Sequence, residues 1–125
     1  MIDANAPYHA HIYYTHADRT AAARLREAFG RDPAILLVGP MIDGPVGPHP
    51  IAQYEVHFRA SAVPAVRAMI EKTGLRALVH PLTDDDLADH TSLANWIGDP
   101  LALDLSVLDS PGANKGMPRF GVSDF

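Results

Sequence analysis

A chain of 125 residues with no cysteine and a formal net charge of −5 excludes disulfides and thiolate metal sites. Its ten basic residues are scattered among fifteen acidic ones and form no positive stripe of the kind that neutralises nucleic-acid phosphates. The length suits one domain able to bury about two-thirds of its unfolded surface without staples.

The opening residues, MIDANAPYHAHIYY, lack a basic start followed by an apolar run, so no secretory signal is expected. No apolar stretch approaches the roughly 18–20 residues that span a bilayer, and the expectation is a cytoplasmic protein with neither membrane nor nucleic-acid partner. Seven histidines and eleven prolines stand out. Histidine titrates near neutrality and is the commonest metal ligand; proline at this level implies rigid connections between short elements.

In chain order, Tyr8–Tyr14 alternates strictly and is rich in strand formers, which predicts a first strand. Asp18 is placed to cap a helix carrying Ala21, Ala22, Leu25, Ala28 and Phe29 at helical spacing, with Gly30 as its stop. Ile35–Val38 reads as a short apolar strand. Pro40–Pro50, with four prolines and two glycines, must be a loop.

Ile51–Phe58 alternates again. Ser61 is placed to cap a second helix, with Pro64 in its first turn, Val63, Val66 and Ile70 on one stripe and Gly74 at its end. Arg76–His80 reads as a fourth strand stopped by Pro81. Thr83–Thr91 reads as an acidic turn, with Asp84, Asp85 and Asp86 solvated and able to cap a helix. Leu101–Val107 reads as a weaker fifth strand, and residues 109–125 as an irregular tail following a single domain of residues 1–108.

The order β-α-β-β-α-β is the split βαβ pattern of the ferredoxin-like α+β sandwich: a four- to five-stranded antiparallel sheet with both helices on one face. Its spatial order would be fourth strand, first, third, second. Ala10, Ile12 and Tyr14 then face the helices together with Ala52, Tyr54, Val56 and Phe58. The opposite face collects His9, His11 and Tyr13, then Gln53, Glu55 and His57, and His80 if Val79 faces the helices.

Imidazoles and a carboxylate on one face are what a facial triad for non-haem Fe(II) requires. A sheet face open to water also tolerates histidines that are merely solvated, above all His9 and His57 near strand ends. Glu55 could simply pair with an arginine, and Tyr13 could be a packing residue. His49, held between Pro48 and Pro50, is rigidly aimed either as a ligand or proton donor or as a turn filler; His90 also lies in a loop. Trp96 suits the core or the wall of an aromatic pocket. No nucleophile elbow, phosphate-cradling glycine loop or HExxH motif is present.

Several segments together resemble the DOPA 4,5-dioxygenase-like family, small proteins related to the fungal extradiol enzyme of betalain pigment synthesis. They are His11-Ile12-Tyr13-Tyr14, Gly47-Pro48-His49-Pro50, Tyr54-Glu55-Val56, Val79-His80-Pro81-Leu82-Thr83, Asp89-His90-Thr91 and Trp96-Ile97-Gly98. The resemblance covers residues 8–105 and implies a ferredoxin-like fold, often dimeric, and cleavage of a catechol ring by O₂ at a non-haem iron. His11, His49, His80 and His90 match the family's histidines; His9 and His57 do not.

The resemblance leads to an expected extradiol dioxygenase acting on a catechol such as DOPA. His11 and His80 would be metal ligands, with His90 or Glu55 as the third. The ion would be Fe(II) or another divalent metal. His49 would handle a proton in catalysis, with His90 and Tyr13 as further candidate catalytic residues, and Tyr13 and Trp96 would line the pocket. A homodimer is expected. Two alternatives stay open: a metal-free oxygenase or isomerase formed by pairing open sheet faces into a dimeric barrel, and a non-catalytic small-molecule-binding domain.

Overall fold

The computed structural model describes residues 3–113, 119–123 and 125 of the chain. Its elements are β1 (Pro7–Tyr13), α1 (Arg19–Gly30), β2 (Ile35–Val38), β3 (Gln53–Arg59), α2 (Val63–Glu71), β4 (Ala77–Pro81), α3 (Asp86–His90) and β5 (Asn95–Ile97). The sheet order is β2-β3-β1-β4-β5 with every pairing antiparallel. This is the expected α+β order of four strands, extended at the β4 edge by a fifth.

The strand pattern dictates the layers. Across β1 the register sets Ala10 opposite Val56 and Val79, and Ile12 opposite Tyr54 and Ala77. These apolar side chains form one buried cluster with Ala22, Leu25 and Phe29 of α1 and Val66 and Ile70 of α2. Burying each large apolar side chain stabilises the fold by about 1.5–3 kcal/mol. The Tyr54 hydroxyl donates to the Ala22 carbonyl at 3.0 Å, so even the polar tip in this core is satisfied.

Four local expectations are corrected. The fifth strand is Asn95–Ile97, not Leu101–Val107; there the Asp104 carboxylate accepts from the Ser106 backbone N–H at 3.1 Å and bends the chain into a 3-10 turn at Leu105–Val107. Ser61 sits inside a 3-10 turn at Ala60–Ala62, and α2 starts after Ala62, so Ser61 does not cap it. Asp18 precedes α1, but its carboxylate turns back to the Thr15 N–H and hydroxyl instead of capping. The acidic stretch forms α3 rather than a turn, with Asp85 capping it as the run allows by accepting from the Ala88 N–H at 2.9 Å; Asp84 is exposed as expected, but Asp86 is buried rather than solvated.

The second sheet face is covered as well. Asp104 N–H donates to the Pro48 carbonyl at 2.9 Å and Gly112 N–H to the Asp84 carbonyl at 2.7 Å. Further along, Gly121 N–H donates to His57 Nδ1 at 3.0 Å, and Phe120 stacks on the His57 ring at 5.9 Å. Residues 114–118 and 124 of the expected tail lie outside the described residues. No helix among the described residues is long and apolar enough to cross a membrane.

Candidate metal centre

Strand alternation places His9, His11 and Tyr13 of β1, Gln53, Glu55 and His57 of β3 and His80 of β4 on the face away from α1 and α2. All seven are buried. His9 and His57 are not solvated strand-end residues: they sit opposite each other in the β1–β3 register and stack at 3.7 Å, and Phe120 and Gly121 lie against His57.

The centre of the group is a contact between His11 Nε2 and His80 Nε2 at 3.1 Å. The outer nitrogen of each ring meets an oxygen that can only accept: His11 Nδ1 donates to Gln53 Oε1 at 3.0 Å and His80 Nδ1 to the Pro81 carbonyl at 2.7 Å. A neutral imidazole carries one N–H, so both Nε2 atoms present lone pairs to one another. His90, on α3, is pinned alike, its Nδ1 donating to the Asp86 carbonyl at 2.7 Å. Its ring lies 4.5 Å from that of His80 and 6.4 Å from that of His11.

Two lone pairs aimed at each other in a dry site repel, and a cation between them removes the conflict. Donors bonded at about 2.0–2.2 Å to one ion and at right angles stand about 2.8–3.1 Å apart, as these two do. Hydrogen bonds from the outer nitrogen that fix tautomer and ring angle are a regular feature of metal-ligating histidines. The donor set fits a divalent first-row metal ion.

Electrostatics keeps the rings in the ligating form. Burial, then repulsion from protonated His49, His80 and His9, holds His11 well below its ordinary value. Burial, then His90, pushes His80 down to about 3, and the same causes push His49 down to about 3. These imidazoles are neutral at neutral pH.

His49 reaches the site from the loop before β3. Reciprocal backbone bonds between Val46 and His49 close a tight turn whose second residue, Gly47, has φ +52°, a conformation that glycine adopts without penalty. Its ring lies 4.2 Å from that of His11, and its Nδ1 is 2.7 Å from the Tyr13 hydroxyl. Burial holds the Tyr13 phenol well above its ordinary value, so the hydroxyl keeps its proton and donates it to Nδ1. The His49 proton is then on Nε2, which is buried without a hydrogen-bond partner in the wall of the pocket.

Glu55 stands to the other side. Its Oε2 is 3.5 Å from His57 Nε2, and its ligand atom groups with those of His9 and His57, all within 4.8 Å of one another. The ligand atoms of His9, His11 and His80 form a second such group. Trp96 stacks on Tyr13 at 6.0 Å and is half-buried in a neighbouring groove with Leu101 and Leu103, outside the histidine pocket. That pocket, about 290 Å³, is lined by His11, His49, His80 and His90 together with Asp86, Arg119 and Phe125 among others.

Sequence reasoning passed over Gln53, Asp86, Arg119 and Phe125. Gln53 was already placed on the right face by alternation; what marks it is its pairing beside His11. Asp86 was masked by its acidic neighbours, and no local pattern flags Arg119 or Phe125.

The Dopa 4,5-dioxygenase family model matches residues 8–107. The DOPA 4,5-dioxygenase of Amanita muscaria is 34% identical over 81% of this chain and 49% of its own length. An uncharacterized 21.2 kDa protein of Botryotinia fuckeliana is 32% identical over 81% of this chain and 62% of its own length. The chain thus spans roughly half to three-fifths of these curated relatives. The crystal structure of a "putative dioxygenase" from Nostoc punctiforme superposes with a TM-score of 0.74 at 37% identity, covering 86% of this chain and 96% of that one. With the matched stretch running from β1 through β5 and enclosing every histidine of the pocket, this chain belongs to the Dopa 4,5-dioxygenase family.

Proposed function

We propose that this chain is a non-haem Fe(II) extradiol dioxygenase that opens the ring of a catechol with O₂. The observation that carries the reading is the pair of pinned Nε2 atoms, His11 against His80, beside a pocket near the lower end of the range for small-molecule sites. His11 and His80 hold the metal; His9 has its ligand atom within 4.8 Å of theirs, and His90, its ring 4.5 Å from that of His80, is the third imidazole expected from the sequence; Glu55 groups instead with His9 and His57. Imidazole ligands suit iron and also zinc, copper or nickel, and membership of a dioxygenase family favours iron. Bound iron would supply Lewis acidity toward the catechol hydroxyls and redox chemistry with O₂.

The chain's own residues do the rest. Gln53, the Pro81 carbonyl and the Asp86 carbonyl orient the three donor rings. His49 presents a proton on Nε2 to the pocket, where it hydrogen-bonds an oxygen that gains negative charge as the ring opens. Tyr13 behind it holds that tautomer. Val107, Leu108 and Phe125 line the same pocket and exclude water from the ring. Residues of the C-terminal segment lie on the sheet face that two copies would pair in a dimeric barrel, which counts against the metal-free alternative.

The test is anaerobic reconstitution with Fe(II), followed by O₂ with 4-methylcatechol, 3,4-dihydroxyphenylacetate or DOPA. The expected result is a yellow ring-opened product and consumption of O₂, both lost in His80→Ala. Stoichiometric Fe(II) binding with no ring-opened product from any of the three would sink the reading.

A further inference from the structure

His90 differs from the strand-borne histidines in the element that carries it. His9, His11 and His80 project from a paired sheet, whereas His90 ends α3, a helix of five residues. A helix that short has no stability of its own, so the direction in which His90 points has to be fixed by bonds from outside the helix.

The bonds that fix it converge on Asp89. Its carboxylate is 0% exposed, a placement that is unfavourable unless the oxygens are hydrogen-bonded. Both oxygens are engaged by one residue: the Thr83 N–H donates to Oδ2 at 2.9 Å and the Thr83 hydroxyl to Oδ1 at 2.6 Å. An O–H bond of about 2.5–2.7 Å to a carboxylate is the charge-assisted kind, stronger than a neutral one. The Thr83 oxygen also accepts from the Asp85 N–H at 3.1 Å, which turns the hydroxyl proton toward Asp89.

Thr83 follows directly on the end of β4, the strand that carries His80. Successive residues of an α-helix stand about 100° apart around its axis. With Asp89 held against Thr83, the next side chain is carried round to face the site, and the His90 ring lies 4.5 Å from that of His80. An apolar residue in place of Asp89 would bury equally well but would let so short a helix roll. Asp89 is not among the described residues that line the histidine pocket, so its carboxylate acts there only through the helix.

We infer that Thr83 and Asp89 are positioning residues, a two-bond clamp that sets the rotation of α3 and thereby aims His90 at the metal centre. That His90 meets an ion there rests on the function proposed above; the hold on α3 rests on the two bonds.

The experiment titrates Co(II) into chelator-stripped full chain. Its visible absorption band reports the number and arrangement of the donors, and competition with a chromophoric chelator gives the affinity. Thr83→Val keeps the shape of the side chain and removes the hydroxyl; it should weaken Co(II) binding by about tenfold or more and shift the band. Thr83→Ser, which keeps the hydroxyl, should stay within about twofold of the wild type. In a His90→Ala background Thr83→Val should change the affinity by less than about twofold, because the ring it aims is gone. Urea unfolding at neutral pH shows which variants are folded. Asp89→Asn, which sets an amide N–H against a Thr83 donor, should give the same loss and serves if Thr83→Val does not fold.

A folded Thr83→Val with wild-type affinity and band overturns the inference, even if it is less stable to urea, because the tie would then be purely structural. The same loss in both backgrounds overturns it too, since the clamp would act on something other than His90. If His90→Ala binds Co(II) like the wild type while His80→Ala does not, this inference falls and the His11–His80 centre stands. Wild-type binding by His80→Ala removes the centre and this inference together. Clamp-dependent Co(II) binding by a protein whose Fe(II) form cleaves no catechol removes only the catechol reading.

Discussion

At the scale of single residues the candidate centre depends on which nitrogen of each ring carries a proton, and Gln53 decides that for His11. Replacing it by Leu removes the acceptor at 3.0 Å from His11 Nδ1 and lets the Nε2–H tautomer form, which cannot ligate. Gln53→Leu is expected to weaken Fe(II) or Zn(II) binding by about 10–100-fold, read by competition with a chromophoric chelator; unchanged affinity would mean that His11 does not ligate through Nε2. Tyr13→Phe tests the other pinned ring. Losing the hydroxyl 2.7 Å from His49 Nδ1 frees the His49 tautomer, so kcat should fall by about 10–100-fold while KM stays flat; a rise in KM alone would assign Tyr13 to packing. Part of this was legible in the sequence, because a period of two places His11, Gln53 and His80 on one face wherever the strands pair. Tautomers were not, since each is set by one acceptor brought from another strand, the next residue or the preceding helical turn. The burial of His57 was not either, because Phe120 and Gly121 reach it from more than 60 residues away.

Among the elements, the long periodic ones were readable and the short ones were not. β1, β3 and the two long helices each carry enough apolar positions for a period to show, and their faces follow from it. α3 has five residues and β5 three, less than one repeat of any useful pattern. Leu101–Val107 alternates as a strand should, yet Asp104 diverts it into a turn. The His49 loop shows how a turn too short for periodicity still has a sequence-encoded shape: Gly47 has φ +52°, and a Cβ there would come within 2.7 Å of the Phe125 ring. Gly47→Ala therefore meets both the left-handed backbone penalty of about 1–2 kcal/mol and a clash that pushes Phe125 off the His49 edge. The expected outcome is destabilisation of at least that size in urea unfolding. A variant as stable as the wild type would show that this turn is not held in the left-handed region.

On the scale of the whole molecule, the unusual feature is a second core made of imidazoles, and its cost is dependence on pH. In metal-free protein, His49 and His80 titrate near 3 when folded and near 6.5 when unfolded; His9 and His11 are shifted in the same direction, by burial first. As pH falls through 6.5 the unfolded chain takes up protons that the folded chain refuses, so the stability present at neutral pH is lost progressively between about 6.5 and 3. Each fully shifted histidine removes about 2 kcal/mol between pH 7.5 and 5, enough for two of them to consume much of the stability typical of a small domain. Asp89, raised by burial, acts in the opposite sense, because its folded form holds a proton more tightly than the unfolded chain does. Its effect begins lower, near the carboxylate range, and leaves the window around pH 6 to the histidines. Urea unfolding of chelator-stripped protein at a series of pH values should therefore give a stability that rises from pH 5 to 7.5, and His80→Gln should flatten that slope by up to one proton. A flat profile in the stripped wild type would mean that the imidazoles are hydrated in solution rather than buried, and the dry, lone-pair-facing centre inferred from them would not exist.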